Sequence, residues 1–517
     1  MAQQGILALD LGTTNLKAGV VTADGTVAAA TVRPVQTQIA DDGAPIQDPA
    51  EIAALALDAS TEVVKSAAAS AEIVGVVCSS QFFSLIPVDS GGNPVGPMQP
   101  WMAQRGAAHS QQWLSECPDA FLKLLEIHGA IPFGSDSLSH ALHLREDCPD
   151  TWDQAAALLE PADFLTTVFT GEIATNLCTA FAFLLTDNRD LANGGWSEEL
   201  LSLAGIPRAK LAPMTAVDAQ VGTVRSQVAL ELGLPANTPV FAPLNDTQAV
   251  TVGSGACQPG RLGLNIGTTI QVLGAAPSKK TDIESQTVSM PSPLAGEYLA
   301  MAECGLGGRV VEHFVRSQVY AEDGFGNHGT ADVFDRLEEV VAGEPAGSGG
   351  LLFLPWLGGA FAPVENPEAR GGFLGMTLGT TRARMARSVL EGVAFQLRWM
   401  FPFVESFTER PASEVTFSGG GARSRTWAAI LASVLGRPLQ QLADPGFANL
   451  RGAGFLGLHR LGILGRDALE GFCPIAETHE PVAKEHGLYE DLFGVWQLAF
   501  EANRQVFTAL REVQEKN

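Results

Sequence analysis

Leu7 to Gly19 reads LALDLGTTNLKAG. Leu7, Leu9 and Leu11 recur with the period of a strand that buries one face, and Asp10 is a carboxylate set into that run. Gly12-Thr13-Thr14 predicts a tight turn, and Ala18 to Val21 supplies the apolar run that pairs back. A glycine turn followed by two hydroxyls gathers backbone N–H and O–H donors at a strand end, a nest suited to phosphate oxygens. Asp10 could hold a hydrated Mg2+ there, since Mg2+ prefers oxygen ligands and keeps most of its waters. Lys17 adds positive charge. Alone, the stretch reads equally well as an ordinary glycine-turn hairpin.

A second copy shifts the balance. Leu262 to Gly274 reads LGLNIGTTIQVLG. Laying Gly267-Thr268-Thr269 over Gly12-Thr13-Thr14 matches Leu262 with Leu7, Leu264 with Leu9 and Gly274 with Gly19. In that overlay Asp10 becomes Asn265 and Lys17 becomes Val272. Two such hairpins predict two domains of one ancestral type that grip a polyphosphate from both sides, with the metal on the first side only.

Composition narrows the class. The chain has 517 residues, enough for two to four domains. Its 32 basic and 57 acidic residues leave a net charge of −25, which disfavours nucleic acid and anionic membrane as partners. Seven cysteines without CxxC spacing read as reduced thiols of a cytoplasmic protein. The opening MAQQGILALD lacks the basic and long apolar regions of a signal peptide. No charge-free apolar run reaches the roughly 20 residues of a membrane span.

Ile6 to Arg33 predicts a three-stranded meander. Pro49 to Ala71 predicts a helix starting at Asp48-Pro49, and Ile73 to Cys78 a buried strand. Strand, strand, strand, helix, strand, helix is the order of ribonuclease-H-like domains. Arg105 to Ala182 reads as mostly helical. Val240 to Leu244 predicts a strand ending on Asn245-Asp246, followed by a helix to about Ala256. Thr380 to Phe401 reads as a long amphipathic helix and Leu450 to Leu461 as another. The domain boundary is expected near Pro243, giving domains 1–243 and 244–517.

Three further stretches bear on chemistry. A carboxylate at Asp246, between strand and helix, can take a proton from a substrate hydroxyl; it can equally cap the helix. Phe417-Ser418-Gly419-Gly420-Gly421-Ala422-Arg423-Ser424 predicts strand, glycine turn and helix, where backbone can approach a flat ligand such as adenine or ribose. It matches neither a Walker nor a Rossmann pattern. His140 and His143 are three apart, but no further His or Cys lies close in sequence to complete a zinc site. Trp101 and Trp356 could stack on a sugar ring or fill a core. Lys279-Lys280 reads as a solvated turn.

DLGTTNLK, LNDTQA, LNIGTT, ARMARSVLEGVAFQLR and SGGGARSRTW, in this order from about Ile6 to Gly462, resemble the FGGY family of carbohydrate kinases. The resemblance implies an α/β protein of two ribonuclease-H-like domains of the actin-like ATPase type. It implies Mg2+-ATP and a small sugar or polyol in the cleft between them, and a homodimer by analogy. Carried over by position, Asp246 is the general base and Asp10 sits near Mg2+. Thr13, Thr14 and Lys17 face the terminal phosphate from one side, with Gly267, Thr268 and Thr269 in the matching hairpin on the other. Gly420, Gly421 and Ala422 border the adenosine, with Asn449 on the same side.

The sugar side departs from the family pattern. Gln81-Phe82-Phe83-Ser84 stands where xylulose kinases carry Gln-Met-His-Gly. Trp101-Met102-Ala103-Gln104-Arg105 has alanine for the acid of Trp-x-Asp-x-Arg, and Thr247 follows the base where asparagine is usual. The resemblance still places Gln81, Phe82, Phe83, Trp101, Arg105 and Asp246 around the substrate. Each change removes a polar partner for a sugar hydroxyl. D-xylulose is the expected substrate, with other polyols, glycerol and sugar acids as alternatives. A silent nucleotide- and sugar-binding sensor is the alternative of another class.

Overall fold

The computed structural model describes residues 2–323, 326–327 and 333–514. β1 (Gln3–Leu11), β2 (Asn15–Thr22) and β3 (Val27–Pro34) form an antiparallel meander. α1 (Pro49–Ala67) follows, its first turn set by Pro49 and by the Asp48 side chain accepting from the Ala50 amide. β4 (Ala71–Ser80) returns parallel to β1. β5 (Pro239–Phe241) and β6 (Leu244–Asn245) pair parallel with β4, and Gln220–Thr223 pairs with β5 at the edge. The spatial order is β3-β2-β1-β4-β5. Between β4 and β5 the chain inserts a mostly helical lobe, including Ala107–Glu116, Ser137–Asp147 and Pro161–Thr170.

α2 (Asp246–Gly253) leads into the second sheet. β7 (Arg261–Ile266), β8 (Thr269–Ala276), β9 (Thr287–Pro291) and β10 (Tyr298–Leu306) are antiparallel neighbours in the order β9-β10-β8-β7. α3 (Arg382–Thr408) precedes β11 (Glu414–Ser418), which is parallel to β7. α4 (Arg425–Leu435), β12 (Leu439–Leu442), α5 (Ala448–Arg460) and β13 (Ile475–His479) complete the set. The order β10-β8-β7-β11-β12 repeats that of the first sheet. The meander plus two parallel strands is therefore built twice.

Strand alternation assigns the faces. Leu7, Leu9 and Leu11 pack with Ile52, Ala56 and Val63 of α1, while Ile6 and Ala8 pack with Phe455 and Leu458 of α5. Thus α5, from the second half of the chain, covers the first sheet. A boundary at 243 would also cut Leu244 and Asn245 from Ser79 and Ser80, their partners in β4. α3 continues beyond the expected end at Phe401, through Pro402, because Met400, Phe401, Val404 and Phe407 all remain in the core.

The crossing of α2 and α5 joins the two halves of the chain beside Asp10 and Asp246. A Cβ on Gly253 would lie 1.8 Å from the Ala448 carbonyl oxygen, and one on Gly452 would lie 1.9 Å from that of Ala249. Only glycine permits backbones this close. The approach brings Asn449 against the start of α2.

Candidate active site

Asp10 is buried near the C-terminal end of β1, and three donors converge on it. Lys17 Nζ lies 3.2 Å from Oδ2, while Ser79 Oγ and Asn449 Nδ2 lie 3.2 and 3.1 Å from Oδ1. The first two arrive because β1 pairs Asp10 with Lys17 on one side and with Ser79 on the other. Asn449 Nδ2 also faces the Asp246 carbonyl at 3.5 Å. Asn449, expected beside the adenosine, is thus placed at Asp10. Sequence reasoning missed Ser79, although a serine opposite a strand carboxylate was a readable signal.

Asp246 does not cap its helix. Asn245 does, accepting from the Gln248 amide at 2.8 Å while Gln248 Oε1 accepts from the Asn245 amide at 3.1 Å. The Asp246 carboxylate accepts only from the Thr247 amide next to it, at 2.8 Å, among the described residues. Burial, and then the negative charge of Asp10, push its pKa up to about 7. A half-buried carboxylate that titrates near neutrality is suited to proton abstraction.

The turn after β1 works partly otherwise than expected. Thr13 Oγ1 donates to Gln81 Oε1 at 2.7 Å and accepts from Trp101 Nε1 at 2.9 Å. Gln47 Nε2 donates to the Thr13 carbonyl at 2.8 Å, and Gln81 Nε2 donates to Gln47 Oε1 at 3.2 Å. The Thr13 side chain therefore ties the turn to the segments of Gln81 and Trp101. Thr14 stays exposed, its hydroxyl accepting from Asn15 Nδ2 at 3.1 Å.

The second hairpin differs in register. β1 and β2 pair Asp10 with Lys17 and Leu11 with Leu16, whereas β7 and β8 pair Asn265 with Gln271 and Ile266 with Ile270. Its turn is one residue shorter, so the partner of Asn265 is Gln271 and not Val272, which is buried on the other face. Gln271 then makes a polar ladder across the sheet. Its Oε1 accepts from Asn265 Nδ2 at 3.1 Å, and the Ser418 hydroxyl donates to Asn265 Oδ1 at 3.4 Å. Its Nε2 reaches Thr247 Oγ1, beside Asp246, at 3.3 Å. Glu303 pairs with Gln271 in β10, and burial pushes its pKa up to about 7. Thr268 is exposed, and a Cβ on Gly267 would meet nothing within 4 Å, so this turn opens toward free space.

At the glycine turn, Gly419 has φ +82°, and Gly420 to Arg423 form one 3-10 turn before Ser424 caps α4. Gly420 is exposed and Gly421 half-buried. Ala422 is fully buried, with its carbonyl accepting from Gln441 Nε2 at 2.6 Å, so its side chain packs beneath the turn instead of lining it.

Among the residues expected around the substrate, Phe82 and Phe83 stack at 3.9 Å between centroids, with Phe133 edge-on to Phe83 at 4.9 Å. Phe83 is held at φ +59°, a left-handed conformation that costs a non-glycine residue about 1–3 kcal/mol. Trp101 is half-buried at Thr13, while Trp356 is in the second core with its indole N–H on Gln396. Arg105 makes a two-pronged pair with Asp42, both contacts 2.6 Å. Ala103 is fully buried. Lys279 is no solvated turn residue: its Nζ donates to the Leu125 carbonyl at 2.7 Å and links the two halves of the chain. His140 is fully buried, and burial pushes its pKa down to about 3.

Two sheets of the same strand order, each with a Gly-Thr-Thr hairpin, and Asn449 joining Asp10 to the start of α2 are the two-domain arrangement of the actin-like ATPase type. Residues 5–253 match the N-terminal domain of the FGGY family of carbohydrate kinases and residues 262–460 its C-terminal domain, so the chain belongs to that family. It is 25% identical over 509 residues to a xylulose kinase of Staphylococcus epidermidis, covering 98% of each chain. It is 24% identical over 502 residues to a gluconokinase of Bacillus subtilis, covering 95% of this chain and 94% of that one. A solved xylulose kinase from Lactobacillus acidophilus superposes with a TM-score of 0.83 at 21% identity, over 98% of this chain and all of its own. Among the described residues, no helix is long and apolar enough to cross a membrane.

Proposed function

We propose that the chain transfers the terminal phosphate of ATP to a hydroxyl of a small neutral sugar or polyol, with a ketopentose such as D-xylulose as first candidate. The observation that carries this reading is the Asp246 carboxylate. It is left out of its own helix cap, raised to about 7, and set beside Asp10. In this reading Asp246 accepts the substrate's hydroxyl proton as the oxygen attacks. Lys17 and the open turn at Gly267-Thr268 meet the phosphates from opposite sides. Gly420 and Gly421 give the nucleotide a wall without side chains.

The residues around Asp10 fit Mg2+: a buried carboxylate, oriented by a cross-strand lysine, a serine and an amide, offers oxygen to a hydrated ion. Bound there, Mg2+ would neutralise charge on the phosphates, which is most of what phosphoryl transfer requires. The Asn449 amide orients Asp10, and the Gln271 amide holds Thr247 and so the first turn of α2. Asp10, Asp246 and Glu303 at one site, with Lys17 as the cation at Asp10, favour an uncharged substrate over an aldonate.

ADP release from Mg2+-ATP with ketoses, polyols, glycerol and aldonates, run beside Asp246→Ala, tests this. Turnover with a neutral member, abolished by the substitution, is expected. Saturable sugar binding with no turnover would replace the kinase by a sensor, and turnover with the aldonates alone would overturn the neutral-substrate reading.

A further inference from the structure

His143 and Asp147 lie one helical turn apart on the helix Ser137–Asp147, so their side chains share a face. His109 reaches the same point from the neighbouring helix Ala107–Glu116. His109 Nε2 is 2.6 Å and His143 Nδ1 2.8 Å from the same oxygen, Asp147 Oδ2. All three atoms lie within 4.8 Å of one another. Side-chain exposures of 22% for His109, 10% for His143 and 50% for Asp147 leave the imidazoles shielded and the carboxylate side open to water.

We infer that His109, His143 and Asp147 form a site for a borderline divalent transition ion of the zinc class, separate from the kinase cleft. Two imidazole nitrogens and one carboxylate oxygen are a donor set this class favours over Mg2+ or Ca2+. Metal–ligand bonds of about 2.0–2.2 Å in a tetrahedron need donor atoms roughly 3.3–3.5 Å apart. Asp147 withdraws by less than about 1 Å, which its place at the exposed end of its helix allows, and the two imidazole nitrogens, within 4.8 Å of one another, close to that spacing. Water fills the remaining position on the open side. Cys148 is not a ligand: its Sγ lies 3.9 Å from His143 Nε2, the ring nitrogen turned away from the cluster. The ion clips together two helices of the inserted lobe. The first begins two residues after Arg105, so the clip steadies that end of the sugar-side segment. His140, the histidine paired with His143 by sequence spacing, has no part in it.

The full chain, tag-free and chelator-treated, is titrated with Zn2+ against a chromophoric competitor, and with Co2+ followed by visible absorption. One equivalent of each should bind saturably, and Zn2+ should raise Tm. His109→Gln and His143→Gln should each abolish the tight equivalent and the Tm gain, Asp147→Asn should weaken it at least tenfold, and Cys148→Ser should leave it unchanged. Circular dichroism and the metal-free Tm of each variant confirm folding. His109→Gln, on the less shielded imidazole, carries the test if His143→Gln does not fold. Absence of a saturable equivalent in the intact chain, its persistence in His109→Gln, or its loss in Cys148→Ser would each overturn the site. Kinase activity is not the readout, so this outcome is independent of the proposed function.

Discussion

The two Gly-Thr-Thr hairpins share a fold but not a chemistry. In the first, the central carboxylate is a charged hub held by Lys17, Ser79 and Asn449. In the second, the equivalent Asn265 is a neutral link in a chain from Ser418 through Gln271 to Thr247. A turn shorter by one residue exchanges the cross-strand partner from a lysine position to Gln271 and sends Val272 into the core. Duplication supplied two phosphate-sized turns. One turn now carries a charged pair and the other a hydrogen-bonded scaffold, and in the proposed reaction the two would contribute differently.

The largest expected effect tests whether the charged side carries the chemistry. Asp246→Asn should lower kcat by about 10²–10⁴-fold with little change in KM for ATP, as for loss of a general base. Steady-state assays with the substrate identified by the panel measure it. A loss confined to KM would assign Asp246 to binding alone.

Exchanging the two hairpin residues sharpens the contrast. Asp10→Asn should raise the Mg2+ concentration for half-maximal activity by about 10–100-fold, while Asn265→Asp should leave that requirement unaltered. Asn265→Asp should instead destabilise the chain by about 1–3 kcal/mol, because the Nδ2 donor to Gln271 is lost. Denaturant unfolding reads the second effect. An equal shift in Mg2+ requirement for both variants would remove the asymmetry.

Asymmetry also sets the pH response. With Asp246 at about 7, kcat/KM should fall tenfold per unit below that pH and level off above it. Because Asp10 is the second cause of the shift, the acid limb of the residual activity in Asp10→Asn should move to lower pH. The stability consequence has a definite sign. Folding raises this carboxyl from 3.8 to about 7, so the native state holds the extra proton between these values. The group's contribution to stability therefore falls as pH rises from about 4 to 7 and stays low above. Asp246→Asn should accordingly have a higher Tm than the parent at pH 8 and no advantage at pH 4.

How much of this was legible depended on range. The hairpins, the helices and the order of elements were readable because alternation, capping and glycine turns are local signals. The sequence left Asp246 with two readings, and only Asn245 and Gln248 closing the cap around it remove the capping one. The overlay of Lys17 on Val272 failed because sequence spacing does not fix strand register; one residue in a turn flips every later side chain. The contact of Asn449 with Asp10 and the covering of the first sheet by α5 were out of reach, since they depend on a helix crossing that Gly253 and Gly452 permit without announcing it. The cluster of His109 with His143 and Asp147 was out of reach for the same reason: His109 is remote in sequence and adjacent only across packed helices.

The smallest effects separate glycines that the two turns require from those that only border ligand. Gly419 sits at φ +82°, and a Cβ there would lie 2.6 Å from both Asn265 Oδ1 and the Ile266 carbonyl oxygen. Gly419→Ala should thus cost about 1–3 kcal/mol of stability through strain and break the Ser418–Asn265 end of the ladder. At Gly267 the added methyl would meet nothing within 4 Å. Gly267→Ala should leave Tm unchanged within error while raising KM for ATP, because the methyl projects into the space assigned to the phosphate. Thermal melts and ATP titrations on the two variants distinguish a structural glycine from a ligand-facing one. A Gly267→Ala chain with parental KM for ATP would mean that the second turn does not approach the phosphate. The neutral ladder would then be left as the second domain's contribution to positioning the base.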